Sequence, residues 1–185
     1  MKKSVLRKYA KLTAKVGANV QKGQDVVIIA SVDQEELVAY IVEECYKLGA
    51  RQVMVEWGSD KVSKVSLIKE DVKVLGAVNP WTIEKQKYYN DKLPAMIYID
   101  SDDPDGLKGV SQAKLAEIQK RRYQILKPYR DERENKYQWT IIGAPSVAWA
   151  KKVFPNLSKR QAVEKLWEAI LLTSRVTDDP IQAWK

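Results

Sequence analysis

The residues best suited to chemistry lie in DSDDPDG (100–106), a run that places four aspartates within seven positions. Carboxylates at this density can hold a hard cation through oxygen. Taking Ser101 as the first position of an EF-hand loop puts Asp103, Asp105 and Gly106 where such loops use them. The first ligand would then be a serine, the twelfth Gln112, and the run before the loop is strand-like rather than helical. A strand-to-helix turn accounts for the same residues more simply. Asp and Pro favour turns, and Asp stabilises the amino end of the next helix.

Other reactive groups are scarce. The chain has no histidine and one cysteine. Without imidazole there is no Ser-His-Asp triad, no Cys-His pair and no His-ligated zinc. Cys45 falls on the apolar stripe of its helix beside Glu43 and Glu44. Burial and anionic neighbours both raise a thiol pKa, so it reads as a small core residue and not as a nucleophile. A lone cysteine forms no disulfide within the chain, which suits a cytoplasmic protein. The turn after the first strand, SVDQEE (31–36), has no glycine and sets acids where a pyrophosphate would sit. No GxxxxGK[ST] sequence occurs.

A net charge of +8 permits anionic partners. The most basic stretch, QKRRYQILKPYR (119–130), places Lys120, Arg121 and Lys127 opposite the apolar stripe of a helix, and Asp131, Glu132 and Glu134 follow. That is the pattern of a solvated face more than of an RNA site. Arg122 falls on the inner side, between Ile118 and Ile125.

These residues must be positioned by alternating strands and helices. The run DVVIIAS (25–31) is continuous and apolar, as in a strand covered on both faces. Further strands are expected at 51–57, 94–100 and 137–143. An amphipathic helix opens the chain, carrying Val5, Leu6, Tyr9, Leu12 and Val16, with charges too frequent for a signal peptide. Asp33 with Glu36 forms a capping-box variant, and Ser158 with Gln161 forms a second box. A helix from 111 should stop at Pro128, leaving 130–136 as a charged turn. No apolar run is long enough to cross a bilayer. The alternation predicts an α/β fold: one domain over 1–185, with a mostly parallel sheet of four or more strands and helices on both faces. Strand order is left open.

In open α/β sheets ligands bind beyond the carboxyl ends of the strands. Ser31, Trp57, Asp102 and Asp103 are therefore a candidate strand-end pocket, set against ordinary packing for the tryptophans. At the other end of the chain, Asp179 before Pro180 has the form of an N-cap and first helical residue.

Several stretches together resemble one family. They are YAKLTAKVGANVQKGQDVVI (9–28), ELVAYIVEECYKLGARQVMVEW (36–57), WAKKVFPNLS (149–158), AVEKLWEAI (162–170) and RVTDDPIQAW (175–184). In order and spacing they are similar to the N-terminal half of the thermophilic-aminopeptidase family, the PepS/AmpS-type metallopeptidases. KEDVKVLGAVNPW (69–81) matches less well than its flanks. The resemblance implies a longer parent enzyme that removes N-terminal residues from peptides. It would use two divalent metal ions, zinc or cobalt, held by glutamates, histidines and an aspartate in a C-terminal domain.

None of those metal or catalytic positions falls in this chain, which on this reading binds no metal and is inactive alone. Residues 178–185 would begin the connection to the catalytic domain. The portion in hand would shape the chamber and support a homodimer, and exposed tryptophans such as Trp167 and Trp184 would mark the docking surface. The alternative is a stand-alone binding or scaffold module that engages RNA or an acidic partner through basic helix faces. Neither nucleic acid nor membrane is expected as a partner of the aminopeptidase.

Overall fold

A computed structural model describes residues 2–184. In chain order the elements are α1 (Lys3–Leu12), continued by a π-helical turn over Thr13–Gly17, β1 (Asp25–Ser31), α2 (Glu35–Lys47) and β2 (Gln52–Gly58). Then come α3 (Asp60–Lys69), α4 (Val72–Gly76), α5 (Pro80–Lys92), β3 (Ala95–Asp100), α6 (Gln112–Arg133), β4 (Trp139–Gly143), α7 (Val147–Val153) and α8 (Lys159–Thr173). The strands form one parallel sheet in the order β2-β1-β3-β4. This is the expected α/β class. The strand boundaries lie within one or two residues of those read from the sequence.

The chain divides into two compact units. The first comprises Met1–Gly58, Ala95–Asp105 and Gln138–Lys185 and contains the sheet; the second comprises Ser59–Pro94 and Gly106–Tyr137 and is helical.

In the first unit one face of the sheet carries the core. Val26, Ile28 and Ala30 of β1 and Ala95, Ile97 and Ile99 of β3 alternate onto it. Leu6 and Tyr9 of α1, Leu37, Val38, Ile41 and Cys45 of α2, and Trp167 of α8 pack against them. Each such side chain contributes about 1.5–3 kcal/mol when fully buried. Val27 and Met96, on the opposite face, are buried too, so the central strands read as unbroken apolar runs. Trp167 meets the Tyr9 ring edge-on, with centroids 6.2 Å apart. It is therefore a core residue, as helical spacing with Ala162, Leu166, Ile170 and Leu171 on one inward stripe of α8 leads one to expect, and not an exposed docking marker.

Helix ends follow local chemistry in most places. The Ser158–Gln161 capping box is formed in full, and Pro80 takes the first turn of α5. Three expectations fail for physical reasons. Asp33 lies inside a short 3-10 turn (Val32–Gln34), and α2 starts at Glu35 with no side-chain cap. The acids Glu35 and Glu36 occupy its first turn, where the helix dipole favours them. Val16 turns outward because the π-helical turn widens the backbone there, so Thr13 and Ala14 are buried in its place. Pro128 does not end α6, which continues to Arg133. The proline forfeits only the bond to the Gln124 carbonyl. Beyond it, the Lys127–Asp131 ion pair and the Arg133 bonds to Asn90 and the Tyr129 carbonyl hold the last turn.

Candidate functional site

Because the sheet is parallel, all four strands deliver their carboxyl ends to the same edge. Ser31 pairs in register with Gly58, and Asp100 with Gly143. The chain leaves β1 toward β2 on one side and β3 toward β4 on the other. The topological switch point thus lies between β1 and β3, where Ser31 and the loop after Asp100 meet solvent.

The four candidate residues take up different positions at this edge. Ser31 is half-buried at the end of β1. Trp57 is 46% exposed and pairs with Ala30. Side-chain alternation puts Trp57 on the face of Ala30 and Ser31 on the other, so the sheet itself separates them. Asp102 is exposed and Asp103 half-buried. Between them and β3 lies Ser101, only 3% exposed, whose Oγ has no hydrogen-bond partner among the described residues.

The aspartate loop behaves as a turn. The Asp105 backbone N–H donates to Asp103 Oδ1 at 2.9 Å, an Asx turn. Lys152 of α7 donates its Nζ to Asp105 Oδ2 at 2.8 Å. Its own pKa is raised, first by that hydrogen bond and then by the charge of Asp105, with a smaller contribution from Asp103. Nothing local in the sequence announces Lys152, which lies 47 positions from Asp105. Among the described residues no group of three or more His, Cys, Asp or Glu side chains is placed to hold a metal. Cys45 is fully buried, and burial followed by the charge of Glu44 pushes its thiol up to about 12. Among the described residues the donors do not converge as a two-metal hydrolytic centre requires.

The basic helix α6 spends its charges within its own unit. Arg121 bonds Glu117 at 2.7 Å, Arg122 donates to the Ala77 carbonyl at 2.9 Å, and Arg130 lies over the Tyr123 ring at 5.6 Å. Arg122, anomalous on the inner side of a helix, is thereby explained as a clamp on the chain after α4.

The last described residues are tied down. Asp179 Oδ1 accepts from the Gln182 N–H at 3.2 Å, Pro180 is buried, and one 3-10 turn follows over Gln182–Trp184. Trp184 Nε1 donates to the Ser174 carbonyl at 2.8 Å, and the Arg175 guanidinium sits 5.2 Å from the Trp184 ring. A cavity of about 440 Å³ lies here, lined by Tyr9, Thr13, Thr140, Ser174 and Trp184 among others. None of the described residues that line it is charged.

Fold and strand ends together define a parallel α/β protein whose described residues offer no metal-ligand set of their own. The profile of the thermophilic metalloprotease family matches residues 2–185, and the chain belongs to that family. It is 38% identical over 181 residues to aminopeptidase AmpS of Bacillus subtilis, covering 97% of this chain and 44% of the relative. It is 36% identical to aminopeptidase PepS of Streptococcus thermophilus, covering 99% of this chain and 45% of the relative. The solved structure of wild-type AmpT from Thermus thermophilus superposes with a TM-score of 0.86 at 30% identity, over 98% of this chain and 45% of that one. The chain thus spans under half the length of these relatives, and it corresponds to their N-terminal part.

Proposed function

We propose that this chain is the N-terminal portion of a metal-dependent aminopeptidase that releases N-terminal residues from peptides. The observation that carries the reading is a mismatch of coverage. The family match runs over 2–185, yet this stretch accounts for only 44% of the B. subtilis relative and offers no converging metal ligands among its described residues. On this reading two divalent ions, zinc or cobalt, are held by the remaining part of the enzyme, where they would polarise the scissile carbonyl and supply hydroxide near neutral pH.

The residues in hand then act by shape. The rigid sheet fixes the strand-end loops, and Ser31, Trp57, Asp102 and Asp103 flank this edge on its two faces, where a peptide would pass toward the catalytic part. The turn opened by Asp179 and Pro180 leads the chain toward that part, starting at 178. Support of a homodimer belongs to the same proposal. A cytoplasmic location suits the single reduced thiol, and no helix among the described residues is long and apolar enough to cross a membrane.

The test is a chimera in which this chain replaces the matching 44% of B. subtilis AmpS. Hydrolysis of short peptides by the folded chimera is the expected result. A chimera that folds and binds metal yet hydrolyses no peptide would overturn the proposal.

A further inference from the structure

Helix α3 buries none of its residues. Val62, Val65 and Ile68 recur every third position and are 66%, 60% and 51% exposed. At helical spacing Lys61 and Lys69 lie on the same face as these three, and Lys64 lies at its margin. The one acid of the helix, Asp60, falls on the opposite side. Lysine is the only charged residue type on this face, with Lys64 and Ser66 at its two margins, so this apolar ridge is not an ordinary solvated face, on which charges replace apolar residues. The helix is also a poor one in isolation. It has ten residues, of which five are valine, isoleucine or serine, poor helix formers that here lack burial. A docked partner would supply the burial that it lacks.

From this face we infer a docking surface for an amphipathic helix of another polypeptide, one whose apolar stripe is edged by aspartate and glutamate. Charge decides the occupant. A second copy of α3 would set lysine against lysine, whereas an acidic edge meets Lys61 and Lys69 as the ridge closes over Val65. The surface lies in the helical unit and does not depend on the aminopeptidase reading.

The probe is a synthetic, fluorescently labelled amphipathic peptide with leucines at helical spacing and glutamates along both edges. Anisotropy titration against the whole chain should show saturable binding that weakens as salt rises from about 0.05 to 0.3 M. Val65→Asp should weaken it by about tenfold or more, equivalent to roughly 1.4 kcal/mol. Lys61→Glu with Lys69→Glu should also weaken it, and this pair leaves the ridge itself intact. Val153→Asp, on the exposed side of α7, should change nothing. The same peptide with lysine edges should not bind. The inference is overturned if the acidic peptide does not bind, or if neither α3 variant affects its binding. It is equally overturned if the lysine-edged peptide binds as well, or if phosphatidylserine vesicles bind in the peptide's place with the same dependence on Val65.

Discussion

Gly17 and Thr140 approach so closely that no side chain fits between them: a Cβ built on Gly17 would stand 2.8 Å from Thr140 Oγ1. This contact seats the π-helical turn after α1 against β4. Gly17→Ala should therefore destabilise the protein by about 1–3 kcal/mol, the usual cost of overpacking. Thr140→Ala in the same chain should restore part of the loss, because it removes the atom that the new methyl strikes. Urea unfolding of both single variants and the double variant measures the coupling.

At the amino end of β1, Arg51 Nη2 lies 2.5 Å from Asp25 Oδ2. The aspartate side chain is almost wholly buried and the arginine half-exposed. Arg51→Ala takes the guanidinium away from a buried carboxylate, while Asp25→Asn leaves an arginine that water can solvate. The arginine variant should thus be the worse, losing about 2–4 kcal/mol against about 1–2 for the asparagine. Equal losses in urea unfolding would contradict this ordering.

Cys45 contributes to the loss of stability at alkaline pH. Its thiol is held up to about 12, first by burial and then by the charge of Glu44. A raised acid pKa means that its contribution is complete below the unfolded thiol value, about 8.5, and is lost as pH climbs from there toward the folded value. The native protein should resist Ellman's reagent at pH 8 and react at once when unfolded. Cys45→Ala should flatten the fall in stability between pH 9 and pH 12, read from thermal melts across that range.

Pro128 sits exposed within α6. Pro128→Ala should restore the bond to the Gln124 carbonyl and stabilise the protein, by up to about 3 kcal/mol on the intrinsic scale. A fall in the melting temperature would show that the proline is needed where it stands.

The same proline shows what the sequence can and cannot display. Where information is local, it is legible: the apolar run of β1, the Ser158–Gln161 box and the inward stripe of α8 are all present in the chain itself. Pro128 misleads because its cost is offset by Asn90, a residue 43 positions from Arg133. Strand order depends on which crossover each helix makes, and no residue type encodes that. The candidate pocket was legible only as a set of strand ends. That Ser31 and Trp57 point to opposite faces follows from the β1–β2 register, and the Lys152–Asp105 link joins α7 to a distant loop. The π-helical turn at Thr13–Gly17 has the composition of any helix, and its close approach to Thr140 belongs to the tertiary fold alone.

The central claim is that the metal chemistry of this family's aminopeptidases lies in polypeptide other than residues 1–185. Its most direct measurement is hydrolysis of aminoacyl-p-nitroanilides by the 185-residue chain alone, with zinc or cobalt added and metal content measured after dialysis. No turnover and no retained stoichiometric metal are predicted. Turnover abolished by a chelator and restored by the ion would place a working centre inside this chain and contradict the claim.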